Sequence, residues 1–476
     1  MTKQIPIHVV GGGIAGLVAA ITAADGGAPV VLHEAGDTLG GRARSGAGPY
    51  GVNLGPHVLY ANGAVVAFLR SRGLRKEVHL KLPSNANMVV LDEDGRHSPL
   101  RLAGAVAAVA RPRRAPVDQR FDEWAHDTFS ARHAADLCHL AGLYTFHHDP
   151  GSLSAAFVWD GCVRSIGRFH TVRYVQGGWT SLVDALAGAA RRRGVRIELG
   201  SRLEPDDLPA DGPVIVATAP TAAASLLDRD LAWSTARTAL LDVALDHPGR
   251  MPWLAMDMAP DLAGCIMAER FTATDKTLAP PGIELVQAQL GVADDISLAD
   301  AVARIEHTLD GMGEWRTAEV WRRAHVVDGA SGAVDPPGTT WRDRPAVDQG
   351  DGRYLAGDTV AAPGLLSEVA ANSGVRAAHL ALEDRRQRQW APGWPTVELT
   401  AAARAGILAA ANPGAKVDVR SLPAPRDEAW ATEPVAEAEA WRTRSTTRRT
   451  ARIRAAEPTA DGGTVVTTVT VPRRRD

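Results

Sequence analysis

The sequence predicts an α/β fold: a parallel, doubly wound sheet gathered from separated stretches of chain, with α+β material inserted between them and an extension at the C-terminus. Three observations carry that prediction. A short apolar, β-branched run, Ile5–Val10, opens directly into Gly11-Gly12-Gly13 and then into an Ala/Leu/Val/Ile-rich stretch, the order of a βαβ start. Short buried-strand patterns return at Val195–Leu199, Val214–Ala217 and Tyr354–Leu355. Between these returns the character changes, to mostly helical over about 61–170 and to strand-rich over 233–330.

Each element follows in order. Ile14–Ala24 reads as a helix ended by Gly26-Gly27, and Pro29–Glu34 as the second strand. Gly63–Arg72 and Phe121–Tyr144 read as helices, with a hairpin at Met88–Leu91 turning through Asp92–Gly95. The basic run Arg111–Arg114 reads as a solvated loop. Ser181–Arg193 is helical, and an acidic, Pro-containing loop, Glu204–Pro213, separates the next two strands. A helix is predicted at Leu298–Leu309 and another from Leu366 to Glu383. Beyond Arg385 the pattern fades to a helix candidate, Leu399–Ala411, and a hairpin candidate, Arg448–Arg454 with Thr464–Val471 around Asp461-Gly462-Gly463.

Composition narrows the function classes. The chain has 476 residues, 45% hydrophobic and 22% charged, which suits a folded protein of two or three domains. Its formal charge is only −3, so no global field marks a nucleic-acid binder. That total hides a split, +6 over residues 385–476 and −9 over the remainder. Three cysteines exclude a disulfide framework and a four-Cys zinc site, and no metal site is expected. No run approaches the ~18 apolar residues of a spanning helix, and no signal peptide is recognised, so the expected setting is soluble and cytoplasmic. Five of the 52 basic residues are lysines: Lys3, Lys76, Lys81, Lys276 and Lys416. Chemistry that needs a lysine therefore has few candidates.

The strongest motif is Gly11-x-Gly13-x-x-Gly16 between strand and helix. Gly11 allows the tight turn, Gly13 lets a pyrophosphate approach the backbone, and Gly16 lets helix and sheet pack closely. The first helical residues, Ile14 and Ala15, then offer free N–H groups at the positive end of the helix dipole. Glu34 closes the next strand, where its carboxylate can accept hydrogen bonds from a ribose diol and would repel a 2′-phosphate. That fits FAD or NAD rather than NADP. Gly40-Gly41-Arg42 follows at once; such a turn can pass close to a dinucleotide and set a guanidinium on its phosphates.

With these residues in register the sequence resembles the FAD-dependent amine oxidase and phytoene desaturase superfamily. The resemblance implies a Rossmann-like FAD-binding domain built from discontinuous segments, 1–60, 172–232 and 335–384. It also implies an inserted α+β substrate domain, 61–171 and 233–334, and leaves 385–476 as a C-terminal extension of unknown role. Val52–His57 resembles the family segment in which a Gly-Pro pair, here Gly55-Pro56, runs beside the flavin ring, making His57 a weak catalytic candidate. Val175–Trp179 and Ser201-Arg202-Leu203 resemble the return to the FAD domain, where Leu203 would meet the adenine through its backbone. Gly357-Asp358 and Leu366 resemble the C-terminal flavin motif, with Asp358 accepting from a ribityl hydroxyl and the helix at Leu366 pointing N–H groups at the pyrimidine edge.

The implied activity is transfer of hydride from a C–H bond of an organic, largely apolar substrate to flavin N5, with O2 or another acceptor reoxidising the flavin. No cysteine lies near Gly357–Leu366, so the FAD is expected to be held non-covalently. Amine oxidases of the family usually carry a lysine near N5 and an aromatic pair. Lys276 sits in a polar segment and reads as solvated, and no Tyr or Trp occurs between Asp358 and Trp390. Both departures favour a desaturase over an amine oxidase. A flavin-dependent carotenoid-type isomerase and a non-catalytic flavin-binding scaffold remain as alternatives, the latter with Arg442–Arg454 docking an acidic partner or a membrane surface.

Overall fold

The computed structural model describes residues 5–46, 48–55, 58–83, 87–166, 172–327 and 332–390. Further on it describes the backbone of three strands, Lys416–Leu422, Thr450–Pro458 and Thr464–Pro472. The chain divides into two compact units, 1–390 and 391–476.

In the first unit, five parallel strands run in the order Arg353–Leu355, Val214–Val216, Ile7–Val10, Val30–His33, Arg196–Glu198. Residues hundreds of positions apart thus lie side by side; the three central strands, Val214–Val216, Ile7–Val10 and Val30–His33, are buried on both faces, while the edge strand Arg196–Glu198 is partly exposed. The helix Ile14–Asp25 leaves the central strand and is buried from Ile14 to Ala23. It is covered by Trp179–Arg192 and by Ser367–Trp390. Close approach is secured by glycine: a Cβ at Gly374 would stand 2.5 Å from the Ala15 carbonyl oxygen.

A second, mixed sheet of seven strands runs in the order Glu319–Val327, Thr238–Asp246, Ile283–Gly291, Ile266–Arg270, Leu254–Asp257, Met88–Asp92, Gly95–His97. Alternation gives it two faces. Leu241, Val243, Val286, Ala288 and Ala268 pack under the helix Leu298–Asp310, which is held at its start by the Ser297 hydroxyl accepting from Asp300 N. The odd-numbered residues of Ile283–Gly291, among them Gln287 and Gln289, face the other way. A helical layer of Phe121–Thr128, Ala131–Thr145 and Ala155–Ser165 carries a third core around Trp124, Phe129 and Trp159.

Three details differ from the sequence reading. Phe121–Tyr144 is two helices, because Phe129 turns extended to pack against both Trp124 and Trp159, and Ser130 caps the next helix by accepting from His133 N. The last helix of the unit begins at Ser367 and continues to Trp390, past Glu383. In the second unit, the hairpin Thr450–Pro458 and Thr464–Pro472 gains a third strand, Lys416–Leu422, that the sequence reading did not assign. The helix candidate Leu399–Ala411 and residues 442–449 of the basic stretch lie outside the described residues. Among the described residues no helix is long and apolar enough to cross a membrane, and no cluster of three or more His, Cys, Asp or Glu is placed to hold a metal ion.

Candidate cofactor and substrate site

One cavity of about 1100 Å³ lies between the carboxyl ends of the parallel strands and the face of the seven-stranded sheet turned away from Leu298–Asp310. Ligand pockets usually measure about 300–1,000 Å³, so there is room for an extended dinucleotide and a further molecule. Gly11, Gly13, Ile14, Ala15, Glu34, Gly40, Gly41, Arg42, Gly55, Leu203, Gly357, Asp358 and Leu366 all line it. Gly16 does not; Pro56 and His57 lie outside the described residues.

The glycines divide by task. Gly11 has φ +107°, and a Cβ there would stand 2.5 Å from the Ala217 carbonyl oxygen. A Cβ on Gly16 would lie 1.9 Å from the Gly11 carbonyl oxygen, so Gly16 closes the helix onto the loop. Gly13 is different: a Cβ there would meet nothing nearer than the Gly40 carbonyl oxygen at 4.0 Å. The space before it is open to the cavity, and a phosphate could occupy it. Gly13 caps the helix without a side chain, leaving the first N–H groups to a ligand. The second glycine turn is fastened to the first by Gly40 N donating to the Gly12 carbonyl at 2.8 Å.

Glu34 is already engaged. Its carboxylate accepts from Gly12 N at 2.7 Å and from Gly36 N at 2.8 Å. It therefore organises the glycine loop, and a ribose diol would use its remaining lone pairs. Leu203 is brought beside it by Ser201 N donating to the Glu34 carbonyl, 2.8 Å. His33, which the sequence reading passed over, also lines the cavity; its Nδ1 lies 3.0 Å from Ser201 Oγ, and its ring stacks on His8. Burial holds both imidazoles below their ordinary pKa, the mutual repulsion of the rings adding for His8.

Arg42 and Asp358 meet across the cleft. The guanidinium donates to both carboxylate oxygens, at 2.7 and 2.8 Å, and the charge of Asp358 raises the Arg42 pKa, although the guanidinium keeps part of its surface exposed. The sequence reading sent these groups to different parts of the cofactor, Arg42 to phosphate and Asp358 to ribityl. The structure pairs them, because opposite charges facing one cavity neutralise each other. The turn before Asp358 is held from the long helix, where the Ser373 hydroxyl accepts from Gly357 N and donates to the Gly357 carbonyl. Leu366 has φ +53°, a left-handed backbone unusual for leucine, and the helix starts only after it.

The opposite wall comes from the seven-stranded sheet and the end of Ala131–Thr145. Leu143, Phe146, Met267, Phe271 and Val327 make it apolar, with Glu269, Gln287 and Gln289 as its polar patch. Behind the patch sits a buried clamp. Asp242 is fully buried and accepts from Gln287 Nε2 at 2.6 Å and Arg323 Nε at 2.8 Å. Gln287 Nε2 and Arg323 Nη2 also donate to the Asn53 carbonyl, at 3.2 and 2.7 Å. The sheet thus holds the segment leading to Gly55 against the cavity. Nothing in local sequence marked Asp242, Glu269 or Gln287, since other polar residues share their strands and do not distinguish them.

Lys276 is 68% exposed and pairs with Glu284; it does not line the cavity. The thiols are also elsewhere, and burial pushes those of Cys138 and Cys162 up to about 12.

Comparison with known proteins bears on the fold. Residues 9–71 match the NAD(P)-binding Rossmann-like domain family. Hydroxyneurosporene desaturase of Rhodobacter capsulatus is 41% identical over 83 residues, 17% of this chain and 17% of that relative's length. An oxidoreductase from Methanosarcina mazei superposes with a TM-score of 0.60 at 18% identity, covering 79% of this chain and all of that one. Cyclohexylamine oxidase from Brevibacterium oxydans gives 0.59 at 14% identity, over 81% of this chain and 100% of that one. Residues 9–71 therefore match a Rossmann-like domain, and the chain shares its fold with the oxidoreductase from Methanosarcina mazei and with cyclohexylamine oxidase.

Proposed function

We propose that the protein is a FAD-dependent oxidoreductase that takes hydride from a C–H bond of an organic, largely apolar substrate, with the FAD held non-covalently. The observation that carries this reading is the single cavity joining a phosphate-ready glycine loop and helix N-terminus to a mostly apolar wall on another sheet. Residues 1–60, 172–232 and 335–384 would form the cofactor half; 61–171 and 233–334 would form the substrate half.

Bound flavin would supply the hydride acceptor. The chain's own residues would bind, orient and exclude water. Gly13, Ile14 and Ala15 would take the pyrophosphate on backbone N–H groups. Glu34 and Leu203 would hold the adenosine end, while Arg42 exchanges part of its bond to Asp358 for phosphate, leaving a carboxylate oxygen for a ribityl hydroxyl. The apolar side chains of Leu143, Phe146, Met267 and Phe271 would keep water from the reacting bond and press the substrate toward the ring.

A desaturase-type dehydrogenation is favoured over amine oxidation because the one lysine of the region, Lys276, is turned to solvent and paired. The test is anaerobic bleaching of the holoprotein's flavin by polyenes, amines and porphyrinogens in turn. Bleaching by polyenes with loss of two hydrogens is expected. Bleaching by primary amines alone would transfer the protein to the amine oxidases, and an isomeric product of unchanged mass to the isomerases. Purified protein that neither contains nor takes up FAD would end the proposal.

A further inference from the structure

Successive cross-strand rows of the seven-stranded sheet face the cavity. One row sets Glu269 beside Gln287 and Gln287 beside Asp242; the next sets Met267 beside Gln289 and Gln289 beside Leu240. The polar side chains of the first row serve the protein itself. Glu269 is turned to the Tyr174 hydroxyl and the Trp253 indole, and the Gln287 amide is held by Asp242 and the Asn53 carbonyl. Gln289 differs. It lines the cavity between two apolar neighbours that offer no hydrogen bond. It is 4% exposed, and its amide pairs with no described residue. Neither its Oε1 nor its Nε2 is sealed off, as Gln287 Oε1 is.

An amide in this position discriminates between ligands. Water entering the cavity can pair with it. An apolar molecule that displaces this water and offers nothing in return strands the amide, which costs about tenfold or more in affinity. Methionine or leucine, the residues on either side of it, would avoid that cost. A molecule that brings an oxygen atom to Gln289 keeps the amide paired. No protein group fixes which way the amide faces, so it can present its N–H to a carbonyl, or either end to a hydroxyl. A cation is served less well. The amide is uncharged, and in the neighbouring row Asp242 and Arg323 already neutralise each other, so an ammonium would lose its hydration without gaining a counter-charge.

We propose that Gln289 is the specificity-determining residue of this cavity, and that its amide hydrogen-bonds an uncharged oxygen function, a hydroxyl or a carbonyl, of an otherwise apolar substrate. The proposal rests on the flavin-and-substrate reading of the same cavity and narrows it from hydrocarbons to oxygenated apolar molecules. The hydrogen bond fixes one point of a substrate whose remaining contacts, with Leu143, Phe146, Met267 and Phe271, are non-directional. One directional contact in an apolar pocket sets the position of the molecule along the wall, and with it the C–H bond presented to the cofactor.

The experiment is anaerobic calorimetric titration of the FAD-loaded protein with 1-phenylethanol, acetophenone, 1-phenylethylamine and ethylbenzene, probes of matched shape. The quantity read is the affinity of each relative to ethylbenzene. In Gln289→Met, which keeps the volume and loses the amide, this ratio should fall about tenfold or more for the alcohol, the ketone or both. Gln289→Leu should do the same, which keeps the test alive if one variant fails to fold. In the parent the amine should bind more weakly than the alcohol. Flavin-free Gln289→Met should melt no lower than the parent, because no internal hydrogen bond is lost. An unchanged ratio for alcohol and ketone alike, tighter binding of the amine than of the alcohol, no binding of any probe, or a Tm lowered by more than about 2 °C would each overturn the proposal. Calorimetry needs no turnover. Failure of the Gln289 contact therefore appears as an unchanged ratio in a flavin-loaded protein, whereas failure of the oxidoreductase reading appears as absent flavin.

Discussion

Replacing Arg323 by methionine removes the cation that neutralises Asp242 but keeps most of the side-chain volume. Asp242 has no exposure at all, while the Arg323 side chain is 24% exposed. Breaking a buried pair by deleting one partner costs about 3–5 kcal/mol. Partial exposure of the arginine lets water recover some of that, so the lower figure, roughly 3 kcal/mol, is expected. Unfolding entropy of about 2.1 cal/mol/K per residue makes a unit of this size lose roughly 1.2 °C per kcal/mol, hence a fall of ~4 °C in Tm. The charge left behind is the main cause, so adding Asp242→Asn to Arg323→Met should restore more than half of the loss. The Asn53 carbonyl also loses its shorter hydrogen bond, leaving Gln287 at 3.2 Å. Amide exchange at Leu54 and Gly55 should therefore quicken, while exchange in the parallel sheet should not change. Thermal melts of the four proteins in the cycle and exchange mass spectrometry read both effects. A Tm within 1 °C of the parent for Arg323→Met, or a double variant less stable than Arg323→Met alone, would refute the reasoning.

Three further outcomes are expected. Glu269 has its carboxyl raised from an ordinary 4.5 to about 7. Between those values the folded state keeps a proton the unfolded chain has lost, so stability falls by up to roughly 3 kcal/mol as pH rises through about 7. Melts from pH 5 to 8 should show that slope in the parent and not in Glu269→Gln; equal slopes would count against a carboxyl raised by burial. Gly13→Ala should leave the melting of flavin-free protein within about 0.5 kcal/mol but weaken FAD binding about tenfold or more, whereas Gly16→Ala should lower both, because only its Cβ strikes backbone. Arg42→Met should weaken FAD binding about tenfold and flatten its salt dependence, measured by flavin fluorescence quenching in rising chloride. An unchanged salt slope would mean that Arg42 stays with Asp358 and never meets phosphate.

The glycine-loop side of the cavity is legible in the sequence because its features are local. A turn that only glycine can make, a helix N-terminus without a side-chain cap and an acid at the next strand end are properties of neighbouring residues. They can be read within Ile7–Glu34. The same holds for Gly40-Gly41-Arg42 and Gly357-Asp358, whose meaning comes from position after a strand. Local reading also told Lys276, in its polar surroundings, from a lysine aimed into a site.

The opposite wall was not legible for the opposite reason. Glu269, Gln287 and Asp242 come from three strands, and strand order is decided by long-range pairing that no short window contains. A single polar residue in an apolar strand reads alike whether it meets solvent, a partner or a cavity. Only the register that sets Glu269 opposite Gln287, and Gln287 opposite Asp242, turns residues of three strands into one polar patch. Arg42 and Asp358 follow the same rule: each motif suggested a task, and the fold added that the two charges face each other across 316 positions of chain. The predicted fold class and glycine loop thus follow from local sequence. The composition of the wall opposite the loop follows from β-sheet register, because register alone determines which side chains share a face.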